Sequence, residues 1–599
     1  MANKKNRRRT KRAKVFKGNQ YVDSAGQNKE KNSDENTGRN GPKQPCTEQA
    51  SDTPRRRARK EFLGSEDHFN ILISFGILKS IVDGTSRCPE CNESVSTSTN
   101  MARKHGCSLC IEIKCRNCSW KKEFFTSPVV EQPTSPGKSG FEINLRFVMA
   151  FREIGKGHEA MKTFCQCLNL PCAMAYNSYQ AINEKLLVAY EKVAEESISS
   201  ECAKIREKAG DMNAVADTTV AIDGTWQKRG FSSLNGAVVA TSLNSKAVDY
   251  HVMTKYCKAC ATWESKKQSG DYETWKASHS CPINHKSSAG AMEAAGAVEI
   301  FRRSINRNKL RYVNYLGDGD TASFSKVQEA KPYGTDFKIT KLECVGHVQK
   351  RLGTRLRKLR VSYKGKVLVD GKPLTGRGRL TDVAINTLQN FFGMAIRQNA
   401  GNLYPMKKAV AAVLFHCTDI QDAERHKFCP RTATSWCKWQ RDTVNQTASY
   451  KPKVNLPVCI KDILEPIFKD LSTDDLLSKC LHGRTQNANE SFNQILWNKC
   501  PKTVFVGRTS LELGVSSAVI AFNEGAKGLC KVLENLGIKE GKCTTLNHKS
   551  RDRKRKLAAD HKKTENVKMR RKTLRAKKKG LLDAEKATEG GESYAKGEY

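Results

Sequence analysis

The stretch "DTTVAIDGTW", residues 217–226, joins a run of β-branched and apolar residues to an aspartate that is followed by glycine. Such a run is typical of a buried strand and places Asp223 at its end, where the glycine permits close approach of another backbone. A second run of this kind, "LRYVNYLGDGD" (310–320), ends in Asp318 and Asp320. Two strands that each end in an aspartate can lay both carboxylates side by side, so the pattern predicts an acidic sheet edge.

A third carboxylate stands far downstream in "LHGRTQNANESFNQILW" (481–497), where Glu490 begins an apolar-periodic helix. One interpretation is structural, because Asn487 precedes Glu490 by three residues, which is the spacing of a capping box. The other interpretation joins Glu490 to the aspartates. Paired Mg²⁺ or Mn²⁺ ions need hard oxygen ligands, and two ions ~3.5–4 Å apart can activate an attacking oxygen and stabilise a leaving one. Two strand-end aspartates and a helical glutamate are the arrangement of RNase H-like nucleotidyl transferases.

The charge composition indicates a polyanionic partner. The 599 residues include 104 Lys and Arg against 62 Asp and Glu, a formal net charge of +42, and such an excess displaces the counterions condensed on phosphates. The start, "MANKKNRRRTKRAK", lacks the apolar segment of a secretory signal. The longest nearly apolar run (69–82) is shorter than the ~18–20 residues that span a bilayer. We therefore expect an intracellular protein without a membrane partner, whose 23 cysteines are metal ligands or buried thiols.

Shifts in composition divide the chain. Residues 1–60 and 546–599 are polar and rich in Lys and Arg, so we expect disordered basic arms there. Between 126 and 215, a Pro/Gly/Ser linker precedes helical patterns whose break, "EIGKGHEA" (153–160), fits a helix-turn-helix or a plain spacer. Residues 216–545 alternate β-rich and helical stretches, which favours the α/β class.

Paired cysteines predict a zinc ribbon over residues 61–125. Two CxxC pairs, "CPEC" and "CRNC", are separated by 23 residues, and the strand-like alternation of "SLCIEIKC" delivers the second pair on a hairpin. A further CxxC pair, Cys107 and Cys110, leaves the choice of four ligands open. The hairpin favours Cys88, Cys91, Cys115 and Cys118.

Two further groups of cysteine and histidine follow. "YCKAC" and "SHSCPINH" predict a zinc knuckle near residues 256–286. Its expected ligands are Cys257, Cys260, Cys281 and either His279 or His285. The last group has no CxxC pair, so satisfied core residues and metal ligands remain alternatives for it. Its members are His416, His426, Cys429 and Cys437.

Seven motifs follow one another over roughly 216–540: "AIDGTWQKRG", "YCKAC", "YLGDGD", "LECVGHVQKR", "GRGRLTD", "SWCKW" and "CLHGRTQNANESFN". In this order they resemble the Mutator-like transposases, in the form common in invertebrate genomes. The resemblance implies an RNase H-like catalytic core with zinc-binding and helical insertions, the helical one near 350–480. It also implies cut-and-paste DNA transposition by a DDE triad. The triad maps onto Asp223, Asp318 and Glu490, with Asp320 as the alternative second aspartate.

The resemblance adds a pair of residues near this centre. "ECVGHV" (343–348) matches the family's Cys-x-x-His pattern and gives Cys344 and His347. His347 would orient a DNA phosphate or aid proton transfer. The alternative is a strand-end histidine satisfied by a backbone carbonyl. The following "HVQKRLGTRLRKLR" (347–360) predicts a basic amphipathic helix, suited to a DNA backbone or to a solvated face.

We therefore expect a nuclear DNA transposase that cuts element ends and joins them to target DNA. The expected cofactors are two Mg²⁺ or Mn²⁺ ions at the triad and Zn²⁺ at the cysteine clusters. The expected partners are double-stranded DNA, as terminal inverted repeats and target, and further copies of the chain, because two DNA ends must be held. Two alternatives stay open: a catalytically silent, transposase-derived DNA-binding or regulatory protein, and a metal-dependent nuclease unrelated to transposition.

Overall fold

The described part of the protein, a computed structural model, begins at residue 69. It comprises residues 69–130, 140–171, 174–228, 232–318, 321–433, 435–564, 567, 570, 571, 573 and 574. Several predicted features lie outside these residues: the arm 1–60, most of the linker, Asp320 and the end of the basic tail.

A three-stranded antiparallel sheet carries the first cysteine cluster. Its strands, in spatial order, are β1 (Val95–His105), β2 (Ser108–Cys115) and β3 (Lys121–Phe125). Helix α1 (Phe75–Thr85) lies on β1, because Lys79 donates to Thr97 O at 2.7 Å and Asp83 accepts from Thr97 N–H at 2.8 Å. The predicted strand over "SLCIEIKC" is confirmed as β2, which delivers Cys115 to the end of the sheet.

Three helices follow a short strand pair, β4 (Val129–Val130) and β5 (Gly140–Phe141). They are α2 (Glu142–Glu153), α3 (His158–Cys167) and α4 (Tyr176–Lys208). The predicted helical spacing is confirmed in α2 and α3. The turn between them requires Gly155, whose φ is +71° and whose added Cβ would lie 2.6 Å from Asn498 O. A role for this helix pair in binding DNA stays a prediction.

A five-stranded mixed sheet with the order β10-β9-β6-β7-β8 lies at the centre. Its strands are β6 (Ala216–Trp226), β7 (Asn235–Ser242), β8 (Ala247–Thr254), β9 (Leu310–Gly317) and β10 (Thr340–Glu343). The first three form an antiparallel meander, whereas β9 and β10 run parallel to β6 on its other side. Both predicted strands and the mixed α/β architecture are confirmed.

Strand β6 is longer than the sequence predicted. The apolar pattern ended it at Asp223, but the next three residues also pair with β7, so the strand continues to Trp226. The parallel pairing with β9, in contrast, ends at Ala221 opposite Leu316. Asp223 therefore lies inside a strand, just beyond the end of that strand's parallel partner.

Short helices connect these strands. They are α5 (Lys258–Trp263), α6 (Asp271–Ser278), α7 (Ala291–Asn308) and α8 (Ala322–Glu329), with a 3-10 helix at Glu264–Lys266. The first two follow β8 and occupy the predicted insertion near 256–286. Helix α7 is fixed to β8 because Arg303 donates to the fully buried Asp249 at 2.6 and 3.0 Å. Removal of either partner would leave an uncompensated buried charge.

A helical insertion between β10 and the last helices has a hydrophobic core of its own. Its helices are α9 (Val345–Ser362), α10 (Asp382–Gln398), α11 (Leu403–His416), α12 (Asp422–Arg425), α13 (Lys438–Asn445), α14 (Val458–Asp470) and α15 (Asp474–Ser478). Their apolar faces meet around fully buried side chains such as Leu352, Phe392 and Ile460. These helices cover most of the range near 350–480, and its interpretation as an insertion in a catalytic core stays a prediction.

Four helices complete the described chain. They are α16 (Asn487–Lys499), α17 (Arg508–Asn523), α18 (Gly528–Asn535) and α19 (Lys542–Lys563). The predicted disorder of the tail from residue 546 is wrong as far as Lys563, where α19 ends. Lys and Arg are good helix formers, and Asp552 anchors α19 by accepting from the N–H groups of Ala526 and Lys527 at 2.9 and 3.2 Å.

One hydrophobic core joins the helical region to the central sheet. Val193 of α4, Val238 of β7, Ile300 of α7 and Val519 of α17 belong to the same buried cluster. The core therefore runs across residue 215, where the sequence pattern placed a domain boundary. Of the helices in the described ranges, none has the length and apolar character needed to cross a membrane.

Candidate active site and metal centres

The two aspartates occupy neighbouring positions at one sheet edge. The parallel pairing of β6 with β9 ends at Ala221 and Leu316, and Asp223 and Asp318 each lie two residues beyond that pair. Their charges interact, since Asp318 is among the groups that raise the pKa of Asp223. The structure thus brings both side chains to the edge at which the sequence predicted them.

Asp223 is held in an environment that disfavours its own charge. Burial raises its pKa to about 6, and the negative charges of Asp318 and Glu490 act in the same direction. A 2.7 Å hydrogen bond from Asn493 Nδ2 and the positive charge of His347 oppose this rise. A cation bound here would offset the cost of removing the Asp223 charge from water and its repulsion by the other carboxylates. The electrostatics therefore fit a cation site.

Polar side chains attach helix α16 to the sheet. Gln486, just before the helix, donates to a β6 carbonyl at 2.7 Å. Asn489 donates to carbonyls of β6 and β7, both at 3.1 Å, and accepts from the Thr241 hydroxyl at 2.6 Å. Asn493, one turn further along the same face, holds Asp223. These bonds fix the helix that carries the third carboxylate against the strand that carries the first.

Glu490 lies in the first turn of α16. Its carboxylate is 57% exposed and lies 3.6 Å from Lys350 Nζ of α9. The capping-box interpretation is wrong, because Asn487 is the first helical residue, Gln486 occupies the cap position, and no side chain caps the helix. The charge of Glu490 nevertheless reaches Asp223.

The three carboxylates do not form a compact one-ion site. Within the described ranges, the groups whose Cys, His or acidic ligand atoms all lie within 4.8 Å of one another are three Cys/His clusters, and the triad is not among them. One ion ~2.1 Å from every ligand needs oxygens within roughly 4.2 Å of each other. The donor set has the hard oxygens that Mg²⁺ or Mn²⁺ requires, and one oxygen of Glu490 lies beside Lys350.

Cys344 and His347 lie beside the same edge. The Cys344 N–H donates to the last carbonyl of β9 at 3.0 Å, and its sulfur accepts from the Gln486 N–H at 3.3 Å. His347 lies in the first turn of α9, so the strand-end alternative is wrong, and among the described residues its buried Nδ1 has no hydrogen-bond partner. The Cys344 thiol raises the pKa of His347. A readily protonated imidazole here is suited to hold an anionic group.

Helix α9 is amphipathic as predicted, but most of its arginines are paired within the protein. Val348, Leu352 and Leu356 form its buried side. On its polar side the ion pairs are Arg351–Glu343, Arg355–Asp470, Arg357–Asp382 and Arg360–Asp382. Acidic groups of neighbouring elements pair with these arginines, but Asp382 serves two of them, so the helix keeps an excess of positive charge. A role for α9 in binding DNA stays a prediction.

A cavity of about 380 Å³ lies between the central sheet and the start of α16. Ala221 and Leu316 line it from the sheet, Asn487 lines it at the start of α16, and Arg397 and Arg484 add positive charge. A helix N-terminus and two guanidinium groups favour an anion such as a phosphate. The sequence pattern did not single out these arginines, because their approach depends on how the helical insertion returns to the sheet.

The first Cys/His cluster is a set of four thiols at the end of the three-stranded sheet. Its members are Cys88, Cys91, Cys115 and Cys118. The sulfurs of Cys88 and Cys118 are 3.6 Å apart, and those of Cys91 and Cys115 are 3.4 Å apart. Two backbone N–H groups donate to Cys115 Sγ at 3.3 Å, which favours a thiolate. Cys107 and Cys110 lie outside the group, which is compatible with zinc.

The second cluster lies in the insertion after β8. Its members are Cys257, Cys260, His279 and Cys281. His279 Nε2 is 3.3 Å from Cys257 Sγ and 3.4 Å from Cys260 Sγ. Of the two histidines left open by the sequence, His285 is elsewhere, with its Nε2 3.0 Å from Ser288 O. This set is also compatible with zinc.

The third cluster is inside the helical insertion, between α11 and α13. Its members are His416, His426, Cys429 and Cys437. The sequence left core packing and metal binding as alternatives for these residues. All four ligand atoms converge within 4.8 Å of one another, as they do in the other two clusters.

Comparison with known protein families identifies the chain's relatives at the level of a family. The family model described as Mutator-like transposase matches residues 73–437, more than half of the 599-residue chain. The matched range contains Asp223, Asp318, His347 and all three Cys/His clusters, and it ends before Glu490. No curated protein matches the chain.

Proposed function

The chain belongs to the Mutator-like transposase family, and from this premise we propose that it is a metal-dependent DDE transposase whose triad is Asp223, Asp318 and Glu490. It cuts phosphodiester bonds at the ends of a DNA element and joins the freed 3′ ends to target DNA. Family membership makes DNA the substrate, and the acidic sheet edge supplies the chemistry.

The observation that supports this proposal most strongly is the coupling of three carboxylates from distant parts of the chain. The pKa of Asp223 on β6 responds to the charges of Asp318 after β9 and of Glu490 on α16. Like charges held close together lower stability unless a cation offsets them. The strand arrangement, a three-stranded meander with two parallel strands beside its first strand, supports an RNase H-like core.

Two Mg²⁺ or Mn²⁺ ions suit this donor set better than one, because the three carboxylates are spread too widely to share a single ion. Asp223, Asp318 and Glu490 would together hold these ions, since Asp223 interacts with both other carboxylates. Such a pair of ions activates the attacking oxygen and stabilises the leaving oxygen of a phosphodiester.

Neighbouring side chains have supporting roles in this proposal. Asn493 orients the Asp223 carboxylate through its 2.7 Å hydrogen bond. Lys350 offsets the charge of Glu490. His347, whose pKa is raised by the Cys344 thiol, holds a proton or a phosphate oxygen beside the acidic edge. Arg397 and Arg484 bind the DNA backbone in the cavity between the central sheet and the start of α16.

The remaining features place the enzyme on its substrate. The first two Cys/His clusters bind Zn²⁺ and hold surfaces for DNA or protein, as structural zinc sites do. The net charge of +42 gives salt-sensitive affinity for double-stranded DNA, both terminal repeats and target. The protein works in the nucleus, and as a homo-oligomer because two ends must be joined.

The test uses the purified full chain with Mn²⁺ and DNA that carries the element's terminal repeats. Asp223→Ala should abolish nicking and joining and retain DNA affinity. The matched control is Asp217→Ala, which removes an exposed aspartate from the same strand and should cut like the parent. Equal cutting by the parent and the Asp223 variant would refute the triad.

The competing function is a transposase-derived DNA-binding or regulatory protein without catalysis. It predicts that Mn²⁺ changes neither the DNA nor the thermal stability of the protein, and that Asp223→Ala is indistinguishable from the parent in both respects. A metal-dependent nuclease would instead cut DNA with and without terminal repeats equally well and would join neither.

A further inference from the structure

We propose that His416, His426, Cys429 and Cys437 bind a third, structural zinc ion inside the helical insertion. The interatomic distances carry this inference. The two histidine Nδ1 atoms are 3.2 Å apart, and the sulfur–nitrogen distances are 3.4–3.8 Å. With Zn–N of ~2.0–2.1 Å and Zn–S of ~2.3 Å, tetrahedral zinc separates its ligands by about 3.3–3.8 Å. The four atoms already have the spacing that one zinc ion needs.

The surroundings of the cluster fit a buried metal. His426 is fully buried, Trp439 stacks on its ring at 4.6 Å, and Gln440 donates to its carbonyl at 3.1 Å. The far nitrogen of His426, Nε2, is buried without a hydrogen-bond partner among the described residues, and Asp422 Oδ1 lies 3.8 Å from it. Cys429 and Cys437 are also buried.

The insertion needs such a cross-link at this point. Between α11 and α13 the only described helix is α12, which has four residues. The apolar cluster beneath it is small: Ala412, Cys429 and Cys437 are buried, with Phe428 and Trp439 packed against them. A metal that ties α11 to this segment would add to the small apolar cluster there, as structural zinc adds stability in small domains.

The test measures zinc per chain in the purified full-length protein and in two variants of one residue. His426→Cys keeps a zinc ligand and should retain the parent's stoichiometry. His426→Phe keeps an aromatic ring for Trp439 but no ligand, and should lose one zinc per chain. Core packing without metal predicts that both variants contain as much zinc as the parent, and this result would overturn the proposal.

A second measurement avoids substitutions altogether. In the parent, Cys429 and Cys437 should resist alkylation until a chelator is added. Cys417, which is buried nearby but outside the cluster, should be unaffected by the chelator. Chelator-independent protection of Cys429 and Cys437 would mean that burial alone shields them, contrary to the proposal.

A cavity beside this cluster supports a separate inference. It rests on the proposed function only in taking DNA as the nucleic acid that the protein binds. The cavity has a volume of about 640 Å³, within the ~300–1,000 Å³ of ligand pockets. His416 of the cluster and Trp436, next to Cys437, contribute to its wall. Tyr404 and Tyr450 add two more aromatic rings.

The charges around this cavity all have one sign. Its lining residues include no aspartate or glutamate. They do include five basic residues: Lys408, Lys438, Arg441, Lys451 and Lys453. Aromatic faces flanked by basic side chains are how proteins hold unpaired nucleotides, with bases stacked and phosphates neutralised. The geometry points to a site for a nucleotide of unpaired DNA.

The test measures affinity of the full chain for a short oligothymidine and for a duplex over a range of salt concentrations. Trp436→Ala should weaken single-strand binding about 5- to 150-fold, the loss of one stacked base, with duplex affinity changed less than about twofold. Trp436→Phe should retain most of the affinity. Lys451→Ala/Lys453→Ala should reduce the salt slope for the single strand by about 0.7 per lysine that contacts a phosphate.

The proposed function and this site can fail independently. Asp223→Ala should bind oligothymidine like the parent, because the cavity is separate from the proposed triad. Single-strand binding therefore tests the nucleotide site even if the protein does not cut DNA. Unchanged single-strand affinity of Trp436→Ala at high salt, where the basic arms are screened, would overturn the proposed nucleotide site.

Discussion

Asp223 illustrates how a residue placed for function can lower the stability of the folded protein. It is half-buried, and its charge is repelled by Asp318 and Glu490, while one amide, from Asn493, donates to it. In the metal-free protein its pKa is raised to about 6, from an ordinary 3.8. The folded state therefore holds this proton to a higher pH than the unfolded chain does.

The stability of Asp223→Asn follows from this shift. As pH rises from about 4 to 6, ionisation of Asp223 costs the metal-free parent stability, and the loss is complete by pH 7.5. The asparagine still accepts from Asn493 and cannot ionise, so at pH 7.5 it should be more stable by about 1–3 kcal/mol, at ~1.36 kcal/mol per pKa unit. Urea unfolding at pH 7.5 and 5.5 should show this difference shrinking at the lower pH. A variant less stable than the parent at pH 7.5 would contradict the account.

The elements that carry the site differ in how far the sequence revealed them. β6 and β9 were visible as β-branched runs that end in acidic residues, because burial on both faces leaves a continuous apolar pattern. The attachment of α16 to the sheet was not visible in the sequence. Gln486 and Asn489 donate hydrogen bonds to carbonyls of strands more than two hundred residues away. Their spacing with Asn493 on one helix face was the available signal. The local capping pattern at Asn487 was misleading because it depends on the helix alone and leaves out the contacts of α16 with the sheet.

Substitutions in α16 distinguish attachment to the sheet by Asn489 from helix capping by Asn487. Asn489→Ala leaves two strand carbonyls and the Thr241 hydroxyl without their partner, so it should lower the free energy of unfolding by about 1–3 kcal/mol. Asn487→Ala, a matched change at an exposed position of the same helix, should cost less than about 0.5 kcal/mol. Chemical denaturation measures both. The reverse order, with Asn487 the costlier change, would restore the capping interpretation.

At the scale of the whole molecule, composition predicted an excess of positive charge but not its distribution. The arginines of α9 looked like a DNA-binding face, but Asp382 and Asp470, from other helices, form ion pairs with three of them. Pairing between distant elements is invisible in a one-dimensional charge pattern. The first two Cys/His clusters could be predicted better than these ion pairs, because CxxC spacing is local in the sequence. The third cluster lacks that spacing, and its role was left open.

This distribution predicts where salt-dependent DNA affinity arises. Deletion of residues 1–60 should make the salt dependence of duplex binding clearly less steep, because that arm is rich in Lys and Arg. Arg355→Ala/Arg360→Ala should change the slope by less than one unit, since both arginines already have acidic partners. Fluorescence anisotropy at several salt concentrations measures each slope. A change near 1.8 units in the double variant, about 0.9 for each phosphate that is no longer neutralised, would show that α9 binds DNA after all.

The most direct test of the central claim is anomalous diffraction from crystals of the full chain soaked in Mn²⁺. Two manganese peaks ~3.5–4 Å apart are expected, with Asp223 touching both and Glu490 reaching one of them. Saturating Mn²⁺ that leaves the Asp223 carboxylate without a peak within coordination distance would contradict the proposed triad.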